Sequence, residues 1–219
     1  MDTATDTLIR SRRRFRRRAG IAAIFGALAL VIAPAVGSAA PVKFGARLGP
    51  TVQPSNSLPG LPCGDEASPR RYSCTMVQNE AYGRPNGGEL APKTGVVTQI
   101  RMIAGGPGTT RIETVKVKRS TLFGTKEGVL VHKGPKISYQ GQTEANWESG
   151  SYRVETFKVH MRIAKGEQLA VHSNSASMVR CSSGGDNTLI YPLTYYPKHP
   201  YNPATGSDGC WLLVEATIR

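Results

Sequence analysis

From Phe157 to Ile163 the chain reads Phe-Lys-Val-His-Met-Arg-Ile, apolar and basic side chains in strict alternation. Period two puts Phe157, Val159, Met161 and Ile163 on one face and Lys158, His160 and Arg162 on the other. That pattern predicts an antiparallel strand with one buried face and one wet face. The same period recurs where Val96, Thr98, Ile100 and Met102 alternate with Val97, Gln99, Arg101 and Ile103, and where Val115 and Val117 interleave with Lys116 and Lys118. Shorter strand-like runs follow at Gln168–His172 and Ser177–Cys181, and the chain closes on Trp211–Ile218. Turn signals separate them: Gly105-Gly106-Pro107-Gly108, Gly124, Lys133-Gly134-Pro135, Gly150, Lys165-Gly166 and Gly184-Gly185-Asp186. Many short strands between Gly/Pro turns predict an all-β fold, a sandwich or a barrel. The expectation is an antiparallel β-sandwich, with the jelly roll as one possible winding. No stretch after residue 41 carries an apolar stripe of period 3.6.

The N-terminus follows a different pattern. Ser11–Gly20 holds six arginines in ten residues, and an uncharged run extends from Ala19 to Ala40, interrupted by Pro34. A basic head, an apolar middle and a small-residue exit are the parts of a secretory signal. Gly37 and Ala39 supply the small side chains that place the cut after Ala39, so residues 1–39 are expected to be a signal peptide. The uncharged run is also long enough for a retained anchor with the N-terminus inside. Ser11-Arg12-Arg13-Arg14-Phe15 resembles the start of the twin-arginine export motif, with Arg12 and Arg13 as the pair. An arginine run alone would suggest nucleic acid, but an apolar run of membrane length directly behind it does not belong to such an arm. Nucleic acid is therefore not an expected partner, and contact with the membrane is expected only through this segment during export.

Residues 40–62 are rich in Pro, Gly and Ser, with five prolines from Pro41 to Pro62. They read as a disordered linker or an extended arm, which leaves 63–219 as the β-sandwich domain. The whole chain has 28 basic and 15 acidic residues, net +13; without the signal, 21 and 13 remain, net +8. A basic exported domain suits anionic partners outside the cell, such as wall polymers or acidic polysaccharide. Four cysteines, Cys63, Cys74, Cys181 and Cys210, suggest two disulfides in that compartment. Three pairings exist, and Cys63–Cys74 with Cys181–Cys210 close the most local loops. No C-x-x-C spacing supports zinc, and no other metal or cofactor is expected.

The order of an early cysteine strand, "ELAPKTGVVTQIRM", "VETFKVHMRIAKGEQLAV", a cysteine loop and a final "GCWLLVEATI" resembles a group of exported β-sandwich proteins of unknown function, common in high-GC Gram-positive bacteria. The resemblance covers roughly residues 74–219 and implies a fold. It carries no catalytic residues.

The chemistry-bearing motifs are few. G-x-S-x-G, H-E-x-x-H, Walker and S-x-x-K patterns do not occur. Of the four histidines, His160 reads as a surface residue and His172 as a strand-end residue; His132 and His199 have no ligand spacing. Asp186 and Asp208 sit beside glycines, where turn formation competes with calcium binding. Glu144 and Glu148 have no fixed separation that would make them a glycosidase pair. One segment stands apart: Tyr191–Pro203 holds four of the eight tyrosines and four prolines. Stiff backbone with flat rings suits a sugar-binding surface, so Tyr191, Tyr195, Tyr196, His199 and Tyr201 are the candidate ligand-binding residues. Burial of these tyrosines over the end of the sandwich is the competing reading. The functional expectation is a non-catalytic binding module, secreted or in the cell envelope, for carbohydrate or wall polymer. A structural, self-assembling envelope protein and a hydrolase without a recognisable motif are the alternatives.

Overall fold

The alternation at Phe157–Ile163 places the first strand, and its neighbours build outward from it. The computed structural model describes residues 40–54, 74–84, 88–119, 125–173, 180–181, 188–191, 202–204, 206–209 and 211–219. The chain divides at Gly37/Ser38; the first unit, with the expected signal and its Arg12–Arg13 pair, lies outside the described residues. Within the second unit the strands are β1 (Val42–Gly45), β2 (Cys74–Gln78), β3 (Gly95–Met102), β4 (Gly108–Arg119), β5 (Lys126–Tyr139), β6 (Glu155–Ile163) and β7 (Gln168–Ser173). Then come β8 (Arg180–Cys181), β9 (Thr188–Tyr191), β10 (Asn202–Pro203), β11 (Gly206–Asp208), β12 (Trp211–Leu212) and β13 (Val214–Ile218).

The smaller sheet has the order β1-β13-β3-β6, and the larger β10-β5-β4-β7-β2-β9-β11. Every recorded pairing is antiparallel. From β1 to β7 and on to β13 the chain crosses between sheets at each step, except at the β4–β5 pair. This is the double Greek-key winding of a jelly roll: β1-β13-β3-β6 faces β5-β4-β7-β2. The short strands β8 to β12 are an excursion between the last two strands of that winding. The fold is an all-β antiparallel sandwich.

Between the sheets lies one core that includes Phe44, Met76, Ile100, Met102, Ile112, Leu169, Val171, Val214 and Ile218. Burial of each large side chain contributes about 1.5–3 kcal/mol. A second cluster, Val77, Val115, Leu130, Ala170, Leu189 and Tyr191, is also buried. Val77 and Ala170 alternate with Met76 and Val171, so the central strands of the larger sheet bury side chains on both faces. All five residues of β2 are buried as a result.

Four expectations are corrected. Residues 42–54 are not a linker: β1 pairs with β13, and Phe44, Ala46, Leu48 and Val52 enter the core. Prolines flank this strand without interrupting it, and a sheet-edge partner supplies order that the local pattern does not. Lys133-Gly134-Pro135 is not a turn but lies inside β5. There Lys133 pairs with Glu113 and Lys136 with Arg111, leaving Gly134 and Pro135 opposite Ile112 alone, a β-bulge. The closing run divides at Leu213: β12 pairs with β8, whereas β13 joins β1 and β3. A short helix, α1 (Glu144–Ser149), occurs where no period announced one. Its ends are local chemistry: Thr143 and Asn146 form a capping box, and Gly150 closes it at φ 64°. Glu144 and Glu148 lie one turn apart on this exposed helix.

Candidate anion-binding site

The inward residues of β13, Val214, Ala216 and Ile218, leave Glu215 and Thr217 on the outer face of the smaller sheet. Cross-strand register gives that face two rows. One runs Lys43, Thr217, Gln99, Lys158, and the next runs Gly45, Glu215, Arg101, Thr156. Glu215 is the only charged residue of the apolar run Trp211–Ile218. Its side chain is only 4% exposed, and three cations satisfy it. Arg101 Nη1 donates to Oε1 at 2.7 Å, Arg84 Nη2 donates to Oε2 at 3.1 Å, and Lys43 Nζ lies 3.3 Å from Oε1. Arg84 also donates from Nε to the Gly45 carbonyl.

Gly45 is required here. It sits at φ 83°, and a Cβ would stand 2.5 Å from the Val214 carbonyl oxygen. The chain then bends so that Ala46 N donates to Val214 O and Arg47 N to Tyr82 O, both at 2.8 Å. Tyr82 in turn packs edge-to-face on Trp211, with ring centroids 5.2 Å apart. These contacts hold Arg47 and Arg84 beside the sheet. The result is a cleft of about 430 Å³ lined by Lys43, Arg47, Leu48, Gly83, Arg84, Arg101 and Glu215. Four cations face one carboxylate. Among the described residues the Arg47 guanidinium has no hydrogen bond or ion pair, and Arg84 and Arg101 keep N–H groups that Glu215 does not use. Fixed guanidinium donors with surplus positive charge match carboxylate, phosphate or sulfate groups, and their entropy cost is met before binding.

A second polar cluster lies on the outer face of the larger sheet. Its row runs Tyr191, Thr75, His172, Arg111, Lys136, with Glu113 and Lys133 in the row beside it. The Thr75 hydroxyl donates to Glu113 Oε2 at 3.0 Å and lies 3.0 Å from His172 Nδ1. Burial raises the Glu113 carboxyl above its ordinary value, against the opposing effects of the Thr75 bond, Lys133 and Arg111. Burial lowers the His172 imidazole, and Lys133, Arg111 and Lys136 lower it further. Both groups are thus held toward their neutral forms. Thr75 and Glu113 are 1% and 2% exposed, which closes this cluster to a substrate.

The structure separates the residues singled out in the sequence. Tyr191, expected on a binding surface, is fully buried at the end of β9, and burial followed by Glu127 raises its phenol. It pairs with Thr75 in the sheet, so its ring fills the second core cluster. Tyr195, Tyr196, His199 and Tyr201 lie outside the described residues. Cys74 is disulfide-bonded; the side chains of Cys63, Cys181 and Cys210 also lie outside them. His160 is exposed on the outer face of β6, as its alternation predicted. Asp208 is placed in β11, and Asp186 is not described. Among the described residues no group of three or more His, Cys, Asp or Glu stands ready to hold a metal, and no helix is long and apolar enough to cross a membrane.

The cleft residues were not singled out in the sequence. Lys43 and Arg47 fall in the apparent linker, and Arg84 lies between strands. The one legible signal was Glu215, a lone charge in an apolar strand, which must find partners when buried. Comparison with known proteins decides nothing further: no family model, no curated protein and no solved structure matches the chain.

Proposed function

We propose that the chain is an exported, non-catalytic binding module that takes an anionic carbohydrate or wall polymer on the outer face of its smaller sheet. The observation that carries this reading is the cleft in which Glu215 holds Lys43, Arg84 and Arg101 while Arg47 has no partner among the described residues. A structural carboxylate that fixes the cations, with one cation left over, fits a site for added negative charge. The net +8 of the chain beyond residue 39 agrees in sign and would speed encounter with a polyanion. The fold alone does not choose among the functions jelly rolls host; the charge arrangement is what supports an anionic ligand here.

The test is calorimetric titration with purified acidic wall polymer. Arg47→Glu breaks no ion pair among the described residues, so the variant should keep its melting temperature and lose about tenfold in affinity, with a shallower salt dependence. Equal affinity of wild type and variant would remove the cleft from the reading. Export is tested separately by secretion of Arg12→Lys/Arg13→Lys, which undiminished export would free from the twin-arginine route. The exported reading includes disulfides Cys63–Cys74 and Cys181–Cys210. The β8–β12 ladder sets the Cys181 backbone opposite Trp211, next in the chain to Cys210, in keeping with the second pair. Non-reducing peptide mapping tests both.

A further inference from the structure

The bulge in β5 opens a second recess beside β6, the strand at the far edge of the smaller sheet from β1. Two residues oppose Ile112 where one would keep the ladder regular. The bulge brings Gly134 against β6: a Cβ there would meet Met161 Sδ at 2.5 Å and Ile112 O at 2.7 Å. Strands β5 and β6 belong to different sheets and share no ladder. Between them lies a groove of about 540 Å³ lined by Lys133, Gly134, Pro135, Lys158, Val159 and His160. Pro135 and Val159 are half-buried, while Lys133, Lys158 and His160 are exposed. Its base is therefore apolar and its rim cationic, and among the described residues no carboxylate lines it.

We propose that this groove is a subsite for a sugar ring bearing an acidic group, on the same polymer that the Glu215 cleft engages. The inference rests on the polymer-binding reading above. Pro135 and Val159 offer the aliphatic contact that the C–H face of a sugar needs, and Lys133, Lys158 and His160 surround it with donors for a carboxylate. The volume lies within the range of small-molecule sites, about 300–1,000 Å³. The two recesses share a row: Lys43 at the cleft and Lys158 at the groove are the ends of Lys43, Thr217, Gln99, Lys158. Three strand spacings separate them, roughly 14 Å, and the residues between are polar. An acidic oligosaccharide of several units reaches both, whereas a single unit reaches one. The second contact is then intramolecular, so affinity rises steeply with chain length.

The test is calorimetry with uronic-acid oligomers from one to six units, a neutral hexasaccharide, and linear polyphosphate as a charge-only probe. The variants are Lys133→Ala/Lys158→Ala, whose side chains are exposed, and Arg47→Glu, each checked for an unchanged melting temperature. The expected result is at least a tenfold gain from short to long uronic oligomers. That gain should be abolished by either variant, with the neutral hexasaccharide not binding. A wild-type chain-length gain that Arg47→Glu removes and Lys133→Ala/Lys158→Ala leaves intact overturns the groove and keeps the polymer reading. Absence of binding to every acidic oligomer and to acidic wall polymer overturns both. Polyphosphate binding with the same loss in Lys133→Ala/Lys158→Ala overturns the sugar specificity.

Discussion

Gly45 lies directly opposite Glu215 in the β1–β13 ladder, and Arg84 bridges the two, donating to the carbonyl of one and the carboxylate of the other. A glycine and a buried charge thus form one device. Gly45→Ala strains a backbone held at φ 83° and drives Cβ into the Val214 carbonyl, a backbone atom that cannot swing aside. The expected cost is about 2–4 kcal/mol in denaturant unfolding, with loss of the Arg84 contact and weaker polyanion binding. A change below about 0.5 kcal/mol would mean that the ladder tolerates a side chain there.

Glu215→Ala leaves three cations facing one another. Removing one partner of a buried pair costs about 3–5 kcal/mol. The cations here are 24–51% exposed, so solvent screening reduces the expected loss to about 1–2 kcal/mol at low salt. The origin of the loss is checked by repeating the unfolding at about 1 M salt, where the Debye length is about 3 Å. Repulsion among Lys43, Arg84 and Arg101 should then fade and the difference from wild type shrink. A penalty independent of salt would assign it to packing instead.

Alternation made the fold legible in the sequence where one strand face meets water, whereas β7 and β13 were legible only as short apolar runs between turn signals. Lys158, His160 and Arg162 alternate with residues packed inward, and the period alone fixes strand and orientation. Where both faces are covered, as in β2, alternation disappears and only the neighbours reveal the strand. Residues 42–54 were illegible because β1 owes its order to β13, distant in sequence, and Pro and Gly density masks it. Gly134-Pro135 resembles a turn because bulges and turns use the same residue types. Tyr191 was misread for a related reason. Its composition matches a binding loop, but its position in β9 opposite Thr75 buries it, and composition does not report strand pairing. The site followed from cross-strand register between Arg101 and Glu215, which no local spacing encodes.

Glu113 gives the chain a pH dependence of known sign. Its carboxyl is raised by burial, so the folded chain keeps this proton to a higher pH than the unfolded chain. The associated stability is complete below the ordinary carboxyl value and is lost as pH rises through the folded-state value. Glu113→Gln keeps an acceptor for Thr75 and cannot ionise. The variant's stability relative to wild type should therefore increase between about pH 4 and pH 8. His172, lowered by burial and by Lys133, Arg111 and Lys136, acts in the other direction. It removes stability as pH falls below its unfolded value, and because it shares the Thr75 hydroxyl with Glu113, repeating the comparison in a His172→Ala background isolates Glu113. A flat difference across that range would show that Glu113 titrates alike in both states.

Gly134 tests the bulge that shapes the groove. Gly134→Ala places Cβ against Met161 Sδ and the Ile112 carbonyl, an overpacking expected to cost about 1–3 kcal/mol. The two contacts differ in kind, because the methionine can move and the backbone oxygen cannot. In a Met161→Ala background the same glycine substitution should therefore cost less, by about 1 kcal/mol, without becoming neutral. Equal cost in both backgrounds would place all the strain on Ile112. A neutral Gly134→Ala would show that β5 can withdraw from β6, in which case the groove between Lys133 and Lys158 is not held open by the bulge.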